Sequence, residues 1–597
     1  MRINKIEVKQ APDLVAVLDS CVGDGYLQGT GGVLADVDID YQSDRRGEVK
    51  EYLERRYNTG GKQRVFSAGT LTTLKIKAAI KDVARVHKVP LSITNYITAI
   101  FDDDKMTWTD LFKLAATNRK VKDFITRYPQ VIEDIRPLMG QPRSASVHAS
   151  AILITPETKD GQPMECFDYT PIKKVDGVLV SEFDGYSLDE VGLLKNDCLG
   201  IKELSKINQT INECNRVYNA GLSFEEIVKG DLDDEKTYQI LSDGHCQNVF
   251  QFSSRGMTKY LMDMRPDCIN DLIAANALYR PATLESGSAE KYLLCKRGEV
   301  EPQYLWGTYD ALKDSFGQLT YQESLAQIAR EVGGFSLGEG VSLLKLISKK
   351  RIDKIHAMKE KFLSGAAQRG CPEEDAVKIW EMIESGGSYL FNKSHATAYA
   401  ITAYVGAYLK ANFPTAFYTV ALQWADDKEI STLMSEMEQC SVAKIVPPDI
   451  NVSDVHFTTD YAQDKIFWSL TRIKMVGSKA ASYVIEERTK NGLFTSLENF
   501  IHRIFKHKLK RYEYWDDPDN TEQQSRVPVN ARHIRNMILA GCFDNIEGVD
   551  VITDRYRIVQ QAAELLGFTL SEQDFPADMV LKPHYWSMQQ IALSGVG

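Results

Sequence analysis

"LADVDIDYQSDRR", Leu34 to Arg46, carries aspartates at alternate positions, Asp36, Asp38 and Asp40, with Val37 and Ile39 between them and Tyr41 after. Side chains alternate across a strand, so residues two apart share a face. The stretch reads as a β-strand with one carboxylate face, Val37, Ile39 and Tyr41 packing inward on the other. Carboxylates this close raise one another's pKa and oppose folding unless something compensates. Water does so at a solvated polar edge strand. A cation does so at a metal site, and hard oxygen ligands of this kind suit magnesium, which takes one or two carboxylates together with substrate phosphates. Both arrangements are open on these residues alone.

The chain has 597 residues, 43% of them hydrophobic and 26% charged. That is enough for roughly three to five domains. No apolar run reaches the ~18 residues that span a bilayer, and the start "MRINKIEVKQ" lacks a signal-peptide pattern. The ten cysteines are scattered with no C-x-x-C pair, which argues for reduced thiols rather than a disulfide frame or a structural zinc. A cytoplasmic location is expected.

A net charge of −11 argues by itself against a nucleic-acid partner. Its distribution argues the other way. Twelve Lys/Arg against four Asp/Glu lie between Arg45 and Lys88, and seven against two between Lys345 and Lys361, a stretch that includes Lys349 and Lys350. A third basic cluster begins at His502. Local field, not net charge, steers a polyanion.

No repeat or low-complexity tract is present. "ASAILITPE" from Ala149 and "VDGVLVSEF" from Val175 read as strands, and the chain from about Ile201 to Asp427 reads as mainly helical. "YAITAYVGAYLKANFP" predicts a mostly buried helix ended by Asn412, Phe413 and Pro414. A boundary is expected near "VPPDIN" at Val446, and a surface loop from Trp515. "LKIKAAIKDVARVHK" places Lys77, Lys81, Arg85 and Lys88 on one helical face, with Lys75 at its start and Ile76, Ile80 and Val83 opposite. Such a stripe is either a solvated surface or a phosphate contact. Only Asp82 interrupts it, which favours phosphate.

A further carboxylate comes from "VGLLKNDCLGIKEL", where Lys195 and Asp197 share a face if the segment is a strand. The lysine either neutralises the acidic cluster or meets a triphosphate. In a two-metal site the ions lie about 3.5–4 Å apart and clamp the attacking and leaving oxygens of a phosphoryl displacement.

The chain resembles the bacterial DNA polymerase III alpha subunits, the C-family replicative polymerases. "DVDIDYQSDRR" is similar to that family's P-D-x-D-x-D-F motif, "VFSAGTLTTLKIKAAIKDVARV" to its F-G-T-x-x-x-K-A-x-I-K-D-V-x-R-V segment, and "GLLKNDCLGIKEL" to K-x-D-x-L-G. "VFQFSSRGMTKYL", "DLIAANALYRPATLESG", "YQESLAQIAREVGGFSL" and "FNKSHATAYAITAYVGAYLKANFP" resemble further blocks in the family's order.

The resemblance implies a mixed α/β, multidomain fold: a nucleotidyltransferase-type palm (residues 1–47 and 141–204) with an inserted helical thumb (48–140), large mostly helical fingers (205–430), a helix-hairpin-helix, clamp-proximal region (431–546) and a C-terminal segment (547–597). It implies that Asp38, Asp40 and Asp197 are the catalytic carboxylates holding two Mg2+ ions, with Mn2+ as a substitute, and that Asp36 is not a ligand. Lys195 matches the lysine beside the triphosphate. Nucleotide contacts fall to Arg280, Lys345, Lys393 and His395. His395 sits near the nascent base pair or is a satisfied core residue. "LLKLISKK" departs from the family's L-R-R-A-M-x-K-K, with Leu344 and Lys345 where two arginines are expected, so the grip on nucleotide is weaker. Lys349 and Lys350 join the DNA contacts, as do Lys474, Gly477 and Lys479 of "IKMVGSKAASYVIEER", whose hairpin glycine precedes a helix that aims N–H groups at phosphate.

The implied activity is template-directed DNA synthesis, adding deoxynucleotides from dNTPs to the 3′ end of a primer on primer-template DNA, with no membrane partner. Two rivals are a non-catalytic DNA-binding relative and a metal-dependent nucleotidyltransferase acting on RNA or a single nucleotide. Family members carry a palm loop, G-R-G-S-x-x-G-S, that cradles the triphosphate. Here 35 residues precede the acidic motif, and their "VGDGYLQGTGG" lacks that pattern. The expectation is a split polymerase of the kind a phage or other mobile element encodes, with a second polypeptide supplying the loop; the alternative is that "GYLQGTGG" substitutes for it. "MQQIALSGVG" resembles the family's L-x-x-Y-L-S-G-H-P. "LSEQDFPADM", with Gln573 and Phe575, falls where the family carries a sliding-clamp peptide, though its spacing differs.

Overall fold

The computed structural model describes residues 37–101, 106–159, 161–190, 192–193, 195–348, 352–387, 389–505 and 528–570, and the single residues 575, 583, 587 and 588. The described chain divides into two compact units at Lys202/Glu203.

The first unit is built on a six-stranded mixed sheet. Its strands are β1 (Val37–Gln42), β2 (Val65–Thr73), β3 (Pro142–Ile154), β6 (Ile172–Val175), β7 (Val178–Asp184) and β8 (Lys195–Ile201), in the order β1-β8-β3-β2-β7-β6. A small hairpin, β4 (Thr158–Lys159) and β5 (Gln162–Pro163), follows β3. β1 runs parallel to β8, and β8 antiparallel to β3. The helix Arg46–Tyr57 covers one face, packing Val49, Leu53 and Tyr57 on Tyr41, Val65, Ile152 and Cys198. The other face buries Phe66, Ala68, Ala151 and Leu153 under Cys166, Leu188 and Leu193. Tyr41 packs inward as its alternation predicts. Ile39 does not: it is 45% exposed, because β1 is an edge strand among the described residues.

Between β2 and β3 the chain forms a helical insertion running from Ile76 to Leu138. Its core holds Ile76, Ile80, Val83, Leu111, Val121, Phe124 and Ile135. The helix Arg46–Tyr57 and β2, which follow the expected boundary at residue 48, pack with the sheet. "VFSAGTLTT" is rich in β-branched residues and its first five residues are buried, which is the signature of a central strand.

The second unit is mainly helical as far as Gln439 and has two cores. The larger gathers Leu241, Phe252, Leu278, Tyr404 and Phe417 with Trp468, Phe500 and Phe543. The helix Lys393–Asn412 threads it and stops before Phe413–Pro414, as the sequence predicts. Inside this core Lys410 donates to Glu436 and to the Gln247 carbonyl (2.8 Å), while Tyr418 Oη donates to Glu436 at 2.8 Å. The smaller core, with Leu325, Ile328, Phe362, Trp380 and Ile383, forms a lobe. The expected boundary near Val446 separates no cores. A three-stranded sheet, with β9 (Lys444–Val446), β10 (Thr458–Asp460) and β11 (Lys465–Phe467), contributes Ile466 to the same core as the preceding helices.

Candidate active site

Adjacent parallel strands carry the acidic residues. The register of β1 on β8 sets Asp38 across from Asp197 and Asp40 across from Leu199. Period-two alternation then puts positions 38, 40, 195 and 197 on one face of the sheet. Asp36 lies outside the described residues. Asp40 is exposed, whereas Asp197 is buried.

The Asp197 carboxylate is held at both oxygens. Lys195 Nζ lies 2.7 Å from Oδ2, and Ser150 Oγ donates to Oδ1 at 2.8 Å. Burial acts to raise its pKa, but the Lys195 and Ser150 hydrogen bonds and the Lys195 charge outweigh it and bring the group below its usual value. The residue is thus an ionised oxygen donor in a partly dry place.

Ser150 reaches Asp197 because the sheet is irregular there. Going from Ser67–Ile152 to Gly69–Val147, four residues of β3 (His148 to Ala151) face the single residue Ala68 of β2. On the other side of β2 the pairing jumps from Ser67–Val180 to Gly69–Asp184. Gly69 lies so close to β7 that a Cβ would collide with the Ser181 carbonyl oxygen, an approach that only glycine permits. His148 and Ser150 escape a reading of the sequence, because a bulge obeys no period. The cue is a polar pair, His148 and Ser150, in a stretch that otherwise reads as strand.

The remaining predicted residues divide by unit. In the first, Lys77, Lys81 and Arg85 line the helix Ile76–Val86, and Lys75 caps its start. Lys88 does not share their face: it lies beyond the helix end with φ 56°. Asp82 pairs with Arg143 at 3.0 Å and more loosely with Arg85 at 3.7 Å.

In the second unit, Arg280 donates to the Ala277 and Tyr389 carbonyls, each at 2.7 Å, and lies over the Phe391 ring. Phe391, His395 and Tyr399 make successive ring contacts, His395 to Tyr399 at 4.1 Å between centroids. His395 is exposed, not a core residue. Lys393 Nζ is bound to Asp314 at 2.7 Å. Lys345 sits on the helix Leu337–Ser348, and Lys349 and Lys350 lie outside the described residues.

Lys474, Gly477 and Lys479 are exposed around the start of the helix Ser478–Asn491. The left-handed residue of this hairpin is Met475 (φ 72°), not Gly477, which is extended. Gln573 lies outside the described residues, and Phe575 is buried against Tyr556 and under Arg535.

Three family models match in sequence order: the bacterial DNA polymerase III alpha NTPase domain over residues 24–200, the bacterial DNA polymerase III alpha subunit finger domain over 203–370, and a helix-hairpin-helix motif over 442–514. The chain is 32% identical over 504 residues to the DNA polymerase III subunit alpha of Aquifex aeolicus, covering 80% of this chain and 42% of that one. It is 32% identical over 524 residues to that of Borreliella burgdorferi (86% and 42%) and 30% identical over 546 residues to that of Thermus aquaticus (89% and 41%). The chain belongs to the bacterial DNA polymerase III alpha subunit family. It spans about two fifths of the length of these relatives, 41–42%. Among the described residues no helix is long and apolar enough to cross a membrane.

Proposed function

We propose that this chain is the catalytic body of a template-directed DNA polymerase that adds deoxynucleotides from dNTPs to a primer 3′ end. The observation that carries the reading is the placement of Asp38 across from Asp197 on adjacent parallel strands, with Lys195 on the Asp197 carboxylate. The donor set is all oxygen and the Asp197 carboxyl is held ionised, which fits Mg2+ or Mn2+. Asp38, Asp40 and Asp197 would hold two such ions, which when bound activate the primer hydroxyl and stabilise the leaving pyrophosphate.

The chain's own side chains do the positioning. Lys195 balances Asp197 and stands on the same face to meet triphosphate oxygens. The sheet acts as palm, the helical insertion as thumb, and the stripe Lys75, Lys77, Lys81 and Arg85 follows duplex phosphates. Arg280, Lys345, Lys393 and His395 serve the incoming nucleotide from the fingers. Lys393 exchanges Asp314 for phosphate when it does so. The N–H groups at the start of the helix Ser478–Asn491, flanked by Lys474 and Lys479, meet the DNA backbone.

Primer extension with Mg2+ tests the reading. Synthesis should vanish in Asp38→Ala, Asp40→Ala or Asp197→Ala while primer-template binding persists. Near wild-type turnover in any of them defeats it. Binding without synthesis under every condition supports the non-catalytic rival, and addition to RNA or single nucleotides alone supports the other. The same assay, run on the chain by itself and with co-expressed proteins, reads whether synthesis needs a second polypeptide carrying the glycine-serine loop.

A further inference from the structure

Ser150 belongs to no motif, yet it is the neutral side chain fixed to the buried carboxylate. In a regular antiparallel pair Ala151 and Asp197, which face each other, share one side of the sheet, and Ser150 would point to the other. The bulge overrides that. His148 Nδ1 accepts the Ala151 N–H at 3.0 Å and the Ser150 N–H at 3.3 Å, so the imidazole closes the bulge from inside. An acceptor at Nδ1 puts the neutral ring's proton on Nε2. Ser150 has one hydroxyl proton and two acceptors in reach, Asp197 Oδ1 at 2.8 Å and His148 Nδ1 at 3.3 Å. The His148 lone pair is already shared by two amides, and the shorter contact goes to the carboxylate.

We infer that Ser150, aimed by the His148-closed bulge of β3, is a positioning residue for Asp197 in the polymerase reaction, an inference that rests on the proposed function. Lys195 also orients Asp197, but through a long side chain 30% exposed to solvent, and it is itself expected to turn toward phosphate. Ser150 is buried, short and set on a strand, so it loses little freedom in holding the carboxylate plane. Partners that fix the orientation of a metal-ligating carboxylate govern how well it presents its free lone pairs. Neighbouring strands anchor the device: Gly69, paired across from Val147 at the bulge, donates its N–H to Ser181 Oγ at 2.9 Å.

The test compares the full chain with Ser150→Ala, Ser150→Thr and Asp197→Asn. Two readouts are taken: primer extension (kcat, with Kd for primer-template DNA) and the Mg2+ concentration giving half-maximal thermal stabilisation of the protein. Loss of one hydrogen bond to a charged group lowers kcat about tenfold and raises the Mg2+ midpoint about threefold in Ser150→Ala, with DNA Kd within about twofold. Ser150→Thr keeps the hydroxyl and regains most of both, which a merely structural role would not produce. If Ser150→Ala matches wild type in kcat and Mg2+ midpoint while Asp197→Asn loses both, the positioning role is overturned and the polymerase reading stands. If Asp197→Asn keeps wild-type synthesis and Mg2+ response, the polymerase reading falls and the role of Ser150 falls with it.

Discussion

Lys195 and Asp197, two residues apart on β8, form a 2.7 Å ion pair on the face of the sheet that also carries Asp40. Together with Ser150 it keeps the Asp197 carboxyl ionised in spite of burial. The folded-state pKa is depressed, so as pH falls the unfolded chain takes up its proton first. The stabilisation is complete above the unfolded value of about 3.9 and is lost as pH drops through the folded one. Urea midpoints should therefore separate wild type from Asp197→Asn by a gap that is constant near neutrality and closes below about pH 4. A gap that widens with acid would contradict the depressed pKa.

Lys77, Lys81 and Arg85 repeat every fourth residue along the helix Ile76–Val86, and Lys81 and Arg85 are exposed. Removing a cation that neutralises one phosphate should reduce the slope of log K against log salt by about 0.9. Lys81→Ala should lower the slope by that amount on any DNA sequence. Arg85 shares Asp82, so its removal should matter less. An unchanged slope in the double variant, measured by fluorescence anisotropy, would remove this face from the DNA path.

The Lys410–Glu436 pair is buried in the larger core, the two residues 4% and 5% exposed. Removing one partner strands a charge at a cost of about 3–5 kcal/mol. Lys410→Met should destabilise by that order in chemical denaturation, and so should Glu436→Leu. The double variant should recover much of the loss. Additive losses would show that the pair acts through its separate hydrogen bonds to Gln247 and Tyr418.

Phe575 is 5% exposed, with its ring 6.0 Å from that of Tyr556. Phe575→Ala should cost about 3 kcal/mol of stability, as truncation of a buried aromatic does. Capture by a sliding clamp should not change in the folded variant. Selective loss of capture at wild-type stability would instead assign Phe575 to a clamp-binding peptide.

How much of this was legible in the sequence depended on period. The acidic strand announced itself through Asp36, Asp38 and Asp40, and the basic helix through its four-residue spacing, since regular elements print their geometry on the chain. The pairing of Asp38 with Asp197 needed the register between strands far apart in sequence, for which only the family resemblance gave a guide. β2 was hidden because its start adjoins basic residues that pointed to the helical insertion. Ser150 and His148 were hidden by a bulge. Met475 was hidden because a neighbouring glycine drew attention to position 477, while Met475, not Gly477, adopts the left-handed conformation.

The lobe of the second unit has a consequence for how the chain folds. Tyr321 and Phe391 form a parallel bridge, with the Gln322 N–H on the Phe391 carbonyl at 2.9 Å and the Phe391 N–H on the Thr320 carbonyl at 3.0 Å. The chain thus leaves and re-enters the larger core at one doorway. The helices Ile269–Leu278 and Lys393–Asn412, which pack on one another, lie on either side of that excursion. Once the lobe has formed from its own nearby contacts, the excursion behaves as a short loop, and the entropy of bringing the two helices together shrinks accordingly. Amides of the lobe helix Glu373–Gly386 should gain hydrogen-exchange protection before those of Lys393–Asn412 during refolding. The reverse order would mean that the larger core assembles first and closes around an unfolded excursion.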